Sequence, residues 1–340
     1  MTAGGGGIAI VAAAALDQLL GDPRWSPHPV VLMGSLIGWL RSQVEALAGD
    51  RPWALRLGGV LITISLVSGS CLLGWGVERI ALDNNLLIAW LGRLLLVIGL
   101  ASALAARSLR QSVLAVVQAL PKPPQDDLDE ARMRLSWIVG RDVTQLNQAE
   151  IVRAAAESAS ENAVDGVFAP LFWMLLGAGL WQINSSWPGP LALAWGFKAA
   201  STLDSMLGYR SGRLRWLGTA GARLDDLLTW LPCRLVMLTL PLISRPSRQL
   251  VGLVLAAERD GSRDPSPNAG RSEAIYAHCV GISMGGTNRY GDQWVNKPLI
   301  APGQPPPDRA SVETILRRTD QLELAWLSAA VVVGMMRSLG

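Results

Sequence analysis

Three carboxylates stand at a spacing that invites chemistry. In the run AAAESASENAVDG, residues 154–166, Glu157, Glu161 and Asp165 fall at i, i+4 and i+8. The run is Ala-rich and free of Pro, so it predicts a helix with all three carboxylates on one face. Like charges at that spacing repel, and a helix selected for stability alone would carry Lys at one of them. Two readings fit: a metal or acid/base site, or a solvated acidic face. Lys198 and Asp204 sit inside the apolar run 191–207, where ionisable groups face a cavity or a partner. At i, i+6 they lie on different faces of one helix, so each needs a partner elsewhere. Asp225 and Asp226 form a second acidic set.

A fourth stretch, Glu258 to Asp292, is dense in turn residues: Gly261, Pro265, Pro267, Asn268 and Gly270, then Gly281, Gly285, Gly286, Asn288 and Gly291. Gly supplies φ > 0 and Pro fixes φ. Arg259, Arg263, Arg271 and Arg289 accompany them. Backbone N–H groups turned inward and ringed by guanidinium groups suit an anionic ligand. The plainer reading is a surface linker with solvating charges.

The elements that must position these residues are set by composition. Half of the 340 residues are hydrophobic and 17% are charged, against about 25% charged in soluble domains. Mean hydropathy is +0.29. Trp is abundant at 14 while Phe and Tyr number 3 each, and Trp favours membrane–water interfaces. These values predict an all-α, polytopic integral membrane protein. A net charge of +3 with no basic block excludes nucleic acid as a partner class. Cys71, Cys233 and Cys279 are scattered and form no CxxC, so neither a disulfide framework nor a thiolate metal site is supported.

Segments 57–77, 86–106, 167–183, 191–207 and 322–336 are expected to span the membrane. Segments 8–20 and 227–257 are expected to be short, interfacial or re-entrant, since the latter holds Pro232, Arg234 and Pro241. Region 258–320 is read as a Gly/Pro-rich active-site loop. Loops 21–56, 107–160 and 208–226 are rich in Arg, and the positive-inside rule puts them in the cytoplasm, with 258–320 joining them if 227–257 re-enters. His28, in His28-Pro29 after Gly21-Asp22-Pro23, is one of two histidines.

Several motifs then coincide. Asp264-Pro-Ser-Pro-Asn268-Ala-Gly270, Glu273-Ala274 and Gly285-Gly286-x-Asn288-x-Tyr290-Gly291 resemble the C-terminal signature of the adenosylcobinamide-phosphate synthase family (CbiB/CobD). The GDP…HP pair, the run from Glu157 through Trp173, Lys198 to Tyr209, and Ala222 to Asp226 are similar to it as well. Arg271-Ser272 and Thr287 depart from the pattern, both at turns.

The resemblance implies an ATP- and Mg²⁺-dependent ligase. It would join a carboxylate of adenosylcobyric acid, a corrinoid, to the amine of (R)-1-amino-2-propanol O-phosphate. Mg²⁺ takes oxygen ligands and few carboxylates, and the expected set is Glu157, Glu161, Asp225 and Asp226. Catalytic roles are expected for Glu157, Glu161, Asp165, Lys198 and Asp204. Arg259, Arg263, Ser266, Asn268, Asn288, Arg289, His28 and Asp22 are expected to bind substrate and phosphate. No GxxxxGK[ST] occurs, so the ATP site is not of the P-loop type. Lipid is the expected surroundings; a homo-oligomer or contact with other corrinoid-pathway enzymes is compatible with this reading. Two rival classes are a transporter for an anionic solute, to which intramembrane Lys198 and Asp204 are suited, and a non-catalytic membrane scaffold.

Overall fold

The computed structural model describes residues 5–21, 28–121, 127–244, 249–290 and 293–339; Asp22 lies outside them. In chain order the helices are α1 (Gly5–Leu20), α2 (Pro29–Ala48), α3 (Pro52–Ala81), α4 (Leu86–Ala101), α5 (Ala106–Gln118), α6 (Asp129–Leu135) and α7 (Gln148–Ala163). A π-helical turn, Val164–Phe168, leads into α8 (Ala169–Ile183). Then follow α9 (Pro190–Leu207), α10 (Leu214–Leu217), α11 (Thr219–Ser244), α12 (Leu250–Gly261) and α13 (Ala269–Val280). The strands β1 (Met284–Tyr290) and β2 (Gln293–Ile300) precede α14 (Arg309–Leu339). The chain divides into two compact units. One comprises 1–105, 169–229 and 326–340; the other 106–168 and 230–325.

Among the described residues, four helical segments are long and apolar enough to cross a membrane: Pro52–Ala81, Leu86–Gln118, Gln148–Ile183 and Thr219–Ser244. Leu61, Ile64 and Leu72 on α3 and Leu87, Leu91 and Leu94 on α4 stay exposed, as lipid-facing side chains do. This is a polytopic helical membrane protein. The expected spans 57–77, 86–106 and 167–183 fall within the first three of these helices. The expected span 191–207 is α9 and 322–336 is the end of α14; both are helical, and neither reaches the same length and hydropathy. Within 227–257, expected to be short, interfacial or re-entrant, α11 runs unbroken through Pro232 and Pro241 to Ser244, and α12 takes up the chain from Leu250. Helices in lipid tolerate Pro because neighbouring groups satisfy the freed carbonyls.

In the first unit, one core gathers Ile10, Leu96, Leu100, Leu171, Met174 and Leu191. A second joins Ile37, Ile62, Leu66, Leu203, Leu207 and Leu217. Small residues let backbones approach: a Cβ on Gly92 of α4 would lie 2.3 Å from the Ala81 nitrogen of α3, the close contact by which membrane helices pack. The start of α9 is held by Glu78 of α3, which is fully buried. Its Oε2 accepts from the Gly189 N–H at 2.8 Å, and its Oε1 from Leu191 and Ala192 at 2.7 and 3.0 Å. A carboxylate at a helix N-terminus meets both orphan donors and the positive end of the dipole.

In the second unit, α7 is the central element. Asn147 and Glu150 cap its start reciprocally at 3.0 and 2.8 Å, a capping box. Ser272 Oγ of α13 donates to the Ser160 carbonyl of α7 at 2.5 Å. β1 and β2 pair antiparallel, with a register shift between Met284 and Gly286. Gly285 and Gly286 take φ of +85° and +101°, which only Gly adopts without strain. The expected 258–320 loop thus holds the end of α12, all of α13, a hairpin and the start of α14. Of its second cluster of turn residues, Gly281 caps the end of α13, while Gly285, Gly286 and Asn288 lie in a bulged strand, because positive φ serves a bulge as well as a turn.

Candidate functional site

The hairpin, α7 and α13 bring together residues from four separate stretches of sequence. Glu157 is at the centre and 1% exposed. Its Oε2 accepts from Arg141 Nη2 at 2.5 Å, and its Oε1 from Arg153 Nη1 at 3.3 Å and from the Gly285 N–H at 2.9 Å. Arg153 also donates to the carbonyls of Gly285 and Thr287, at 2.5 and 3.2 Å. Arg141 reaches on to Asn288 Oδ1 at 2.7 Å. Two guanidinium groups thus fasten the glycine bulge to α7 around one carboxylate.

Beside this clamp sits Lys297 of β2. Its Nζ lies 3.2 Å from Glu273 Oε1 and 3.7 Å from Asp264 Oδ2, and Glu161 and Glu157 also act on it. Burial opposes its charge, but the surrounding carboxylates, Glu273 foremost, outweigh burial and raise its pKa. Glu273, 1% exposed, is pushed up to about 8, first by burial and then by the charges of Glu157 and Glu161, against the pull of Lys297.

Two polar atoms in this assembly are buried without a hydrogen-bond partner: Glu273 Oε2 and Asn288 Nδ2. The amide of Asn288 is oriented by Arg141, which must meet an oxygen, so the free atom is a donor. Buried groups left unsatisfied are rare in native proteins and call for an account.

The expected site residues divide accordingly. Glu157, Glu161 and Asn288 belong to the assembly. Asp165 falls in the π-helical turn, where the wider winding takes it out of the i, i+4, i+8 register; it acts instead on Cys233. The polar atoms of Ser266 and Asn268 shape the turn before α13. Ser266 Oγ accepts from the N–H groups of Asn268 and Ala269, both at 3.2 Å, and Asn268 Oδ1 from Arg234 at 2.7 Å. Arg259 pairs with buried Asp260 and stays largely exposed, Arg263 is exposed, and Arg289 lies 3.6 Å from Asp142. The inner cations are therefore Arg141, Arg153 and Lys297, not the arginines of the turn-rich stretch. His28 caps α2, its Nδ1 accepting from the Val30 N–H at 3.3 Å.

The first unit holds its own charged set. Asp204, Asp226 and Lys198 all act on Asp225: Lys198 meets an opposite charge on α11, whereas Asp204 meets carboxylates of its own sign there. Gly208 abuts this set: a Cβ there would lie 2.1 Å from Asp204 Oδ1.

Among the described residues no three His, Cys, Asp or Glu converge to hold a metal ion by themselves. Mg²⁺ does not need such a cage, since it is bound through one or two carboxylates with phosphate and water completing the shell. Glu157 has three donors on its oxygens, so Asp225 and Asp226 fit that donor role better.

Comparison with known proteins decides the family. The family model described as CobD/Cbib protein matches residues 10–319. The chain belongs to the CobD/CbiB family. A Synechocystis sp. relative named cobalamin biosynthesis protein CobD is 41% identical over 294 residues, covering 86% of this chain and 82% of that protein. One of the same name from Klebsiella pneumoniae is 41% identical over 287 residues, covering 84% of each chain. The Salmonella typhimurium cobalamin biosynthesis protein CbiB is 37% identical over 323 residues, covering 94% and 93%. No solved structure matches. The CobD/CbiB match covers all of the inner assembly, from Arg141 to Lys297.

Arg141, Arg153 and Lys297 were not anticipated as site residues. Arg153 carried a usable signal: it stands four residues before Glu157, the spacing of a helical ion pair. Arg141 and Lys297 meet their partners only through the tertiary fold.

Proposed function

We propose that this protein acts in cobalamin biosynthesis as an ATP-dependent ligase, joining a carboxylate of adenosylcobyric acid to the amine of (R)-1-amino-2-propanol O-phosphate. Family membership supports the pathway. The structural observation behind the ligase reading is the convergence of the motif residues Glu157, Glu161, Asp264, Glu273 and Asn288 on one buried, charged assembly.

Amide formation needs an activated carboxylate, which ATP supplies, and an amine freed of its proton. Mg²⁺, held through Asp225 and Asp226, would neutralise phosphate charge and leave the protein to orient the reactants. Lys198, beside Asp225, is suited to a phosphoryl oxygen. The Arg141–Glu157–Arg153 clamp keeps the bulge rigid, and Glu161 and Glu273 are carboxylates within reach of Lys297 that can accept a proton. The exposed cations Arg259 and Arg263 suit the capture of phosphate-bearing substrates at the rim.

The test is ATP turnover by the full chain purified in detergent. ATP should be consumed only when both the corrinoid and the amino-alcohol phosphate are present, with the amide product seen by mass. Substrate-independent ATP loss, or none with both substrates, would overturn the reading. The Arg excess of loops 21–56, 107–160 and 208–226 favours the cytoplasmic side for them, and 258–320 shares it if 227–257 re-enters. In a background without native Cys, single cysteines at positions 112, 211 and 262 should label alike with an impermeant thiol reagent. Labelling of position 262 alone from outside the cell would show that 227–257 crosses the membrane, and would put 258–320 on the side opposite the other charged loops.

A further inference from the structure

The inner assembly is one positive charge short. Arg141, Arg153 and Lys297 face Glu157, Glu161, Asp264 and Glu273, three cations against four carboxylates. The clamp commits two cations to Glu157, which leaves Lys297 alone among the other three carboxylates and the whole one charge short. The two atoms without partners are complementary in kind: Glu273 Oε2 accepts and Asn288 Nδ2 donates. Both side chains are at most 2% exposed. Both belong to one assembly, since Asn288 is tied through Arg141 to Glu157 and Glu157 acts on Glu273. On the hairpin, Lys297 pairs with Gly286, and Asn288 lies two residues beyond Gly286, on the same face of the strand.

A site that lacks one cation and offers one free acceptor and one free donor suits a small molecule bearing an ammonium group and an oxygen. We propose that Glu273 and Asn288 form the subsite for the amine-bearing substrate, Glu273 Oε2 accepting an ammonium N–H and Asn288 Nδ2 donating to a substrate oxygen. This rests on the ligase reading for the identity of that substrate. Glu273 then takes one proton from the ammonium: an N–H bond breaks, an O–H bond forms at Oε2, and the nitrogen lone pair is left for attack. Lys297, 3.2 Å from Glu273 Oε1, keeps the other oxygen occupied, so the proton has one place to go.

Placement between carboxylates gives the subsite a pH signature. With Glu273 poised at about 8, below that pH the free site holds a proton that an arriving ammonium must displace. Glu157, Glu161 and Asp264 face it with the same sign, and Lys297, Arg141 and Arg153 with the opposite one. A primary alkyl amine stays charged to about pH 10. Affinity for the amine should therefore rise from pH 6 to pH 8.

The probes are 1-amino-2-propanol O-phosphate and isopropyl phosphate, which differ only in the amine. The wild-type chain in detergent should prefer the former, and the preference should grow between pH 6 and pH 8 with proton release on binding. Glu273→Gln should cut the affinity for the amine roughly 10- to 150-fold, the size of one charge-assisted hydrogen bond, and leave isopropyl phosphate unchanged. Asn288→Ala should weaken both probes alike. A Glu273→Gln chain that keeps the wild-type preference would sink the proposal. So would a wild-type preference flat in pH, a measurement that stands even if the variant does not fold. Neither result would touch the ligase reading, which fails only if the wild type forms no amide product.

Discussion

Glu78 and Glu273 are both buried carboxylates, and they are finished differently. Glu78, in the first unit, has both oxygens met by backbone: three donors, from Gly189, Leu191 and Ala192, converge on them. Glu273, in the second, shares one oxygen with Lys297 and leaves the other bare. Burial alone does not separate structure from function, since both are almost wholly inaccessible. Completeness of the hydrogen bonding does. A saturated carboxylate holds a fold together; an unsaturated one is waiting for something.

The sharpest way to break that contrast is to remove Glu78. Glu78→Ala would strand three buried N–H groups at the start of α9, at about 1–3 kcal/mol each when left unmet. The expected result is a loss of on the order of 3 kcal/mol or more, read as poor yield and early melting in detergent. Melting close to wild type would mean that the α9 terminus finds other acceptors and that saturation is no guide to structural weight.

Glu157 lies between the two extremes, being saturated yet inside the assembly. Glu157→Gln keeps the shape and leaves Arg141 and Arg153 without their anion. Removing one member of a buried pair costs about 3–5 kcal/mol, somewhat less here because the amide oxygen still accepts. Both melting temperature and ligase turnover should fall. A stable but inactive variant would move Glu157 to the side of Glu273.

Gly285→Ala tests the frame that holds both. The residue has φ +85°, and a Cβ would lie 2.0 Å from the Pro298 carbonyl oxygen. Strain of about 1–3 kcal/mol is expected, with a backbone shift that pulls the Gly285 N–H off Glu157. Turnover should drop more than stability does; the reverse would show that the bulge serves folding alone.

The sequence disclosed what is local and periodic. A long uncharged run gave α3, an apolar run interrupted only by Arg93 gave α4, and the helix carrying Glu157 and Glu161 followed from its Ala content. The motifs of 264–291 marked the right neighbourhood. What it hid was pairing at a distance. Arg141 and Lys297 reach carboxylates far off in the chain, and no pattern in either segment announces it. The arginines of the turn-rich stretch drew attention because they stood among glycines and prolines, whereas the cations of the inner assembly came from elsewhere. Asp165 looked like a third member of a face until the π-helical turn moved it, and a π turn has no strong sequence signature. Glu78 lies just past the expected span 57–77, and nothing local marks it, since its role depends on a helix more than a hundred residues later.

The smallest effect is expected on α6, where a carboxylate pairs with an arginine in the open. Arg134 donates to Glu130 Oε1 through Nε and Nη2 at 3.1 and 2.6 Å. The geometry is at least as good as that of Arg153 with Glu157, and the spacing is again i, i+4. The difference is solvent: the Glu130 side chain is 58% exposed against 1% for Glu157. Water screens the charges and competes for the same donors, so an exposed pair contributes below about 1 kcal/mol. Glu130 also stands in the first turn of α6, where a negative charge is favoured by a few tenths of a kcal/mol. Glu130→Gln should therefore shift melting by little and leave turnover unchanged. The paired measurement with Glu157→Gln sets a wet carboxylate against a dry one at the same helical spacing and for the same lost charge, with Arg141 and the Gly285 N–H adding to the dry side. Equal melting shifts for the two variants would show that the inner clamp is wet, and the case for Glu273 as a dry, unsatisfied acceptor would go with it.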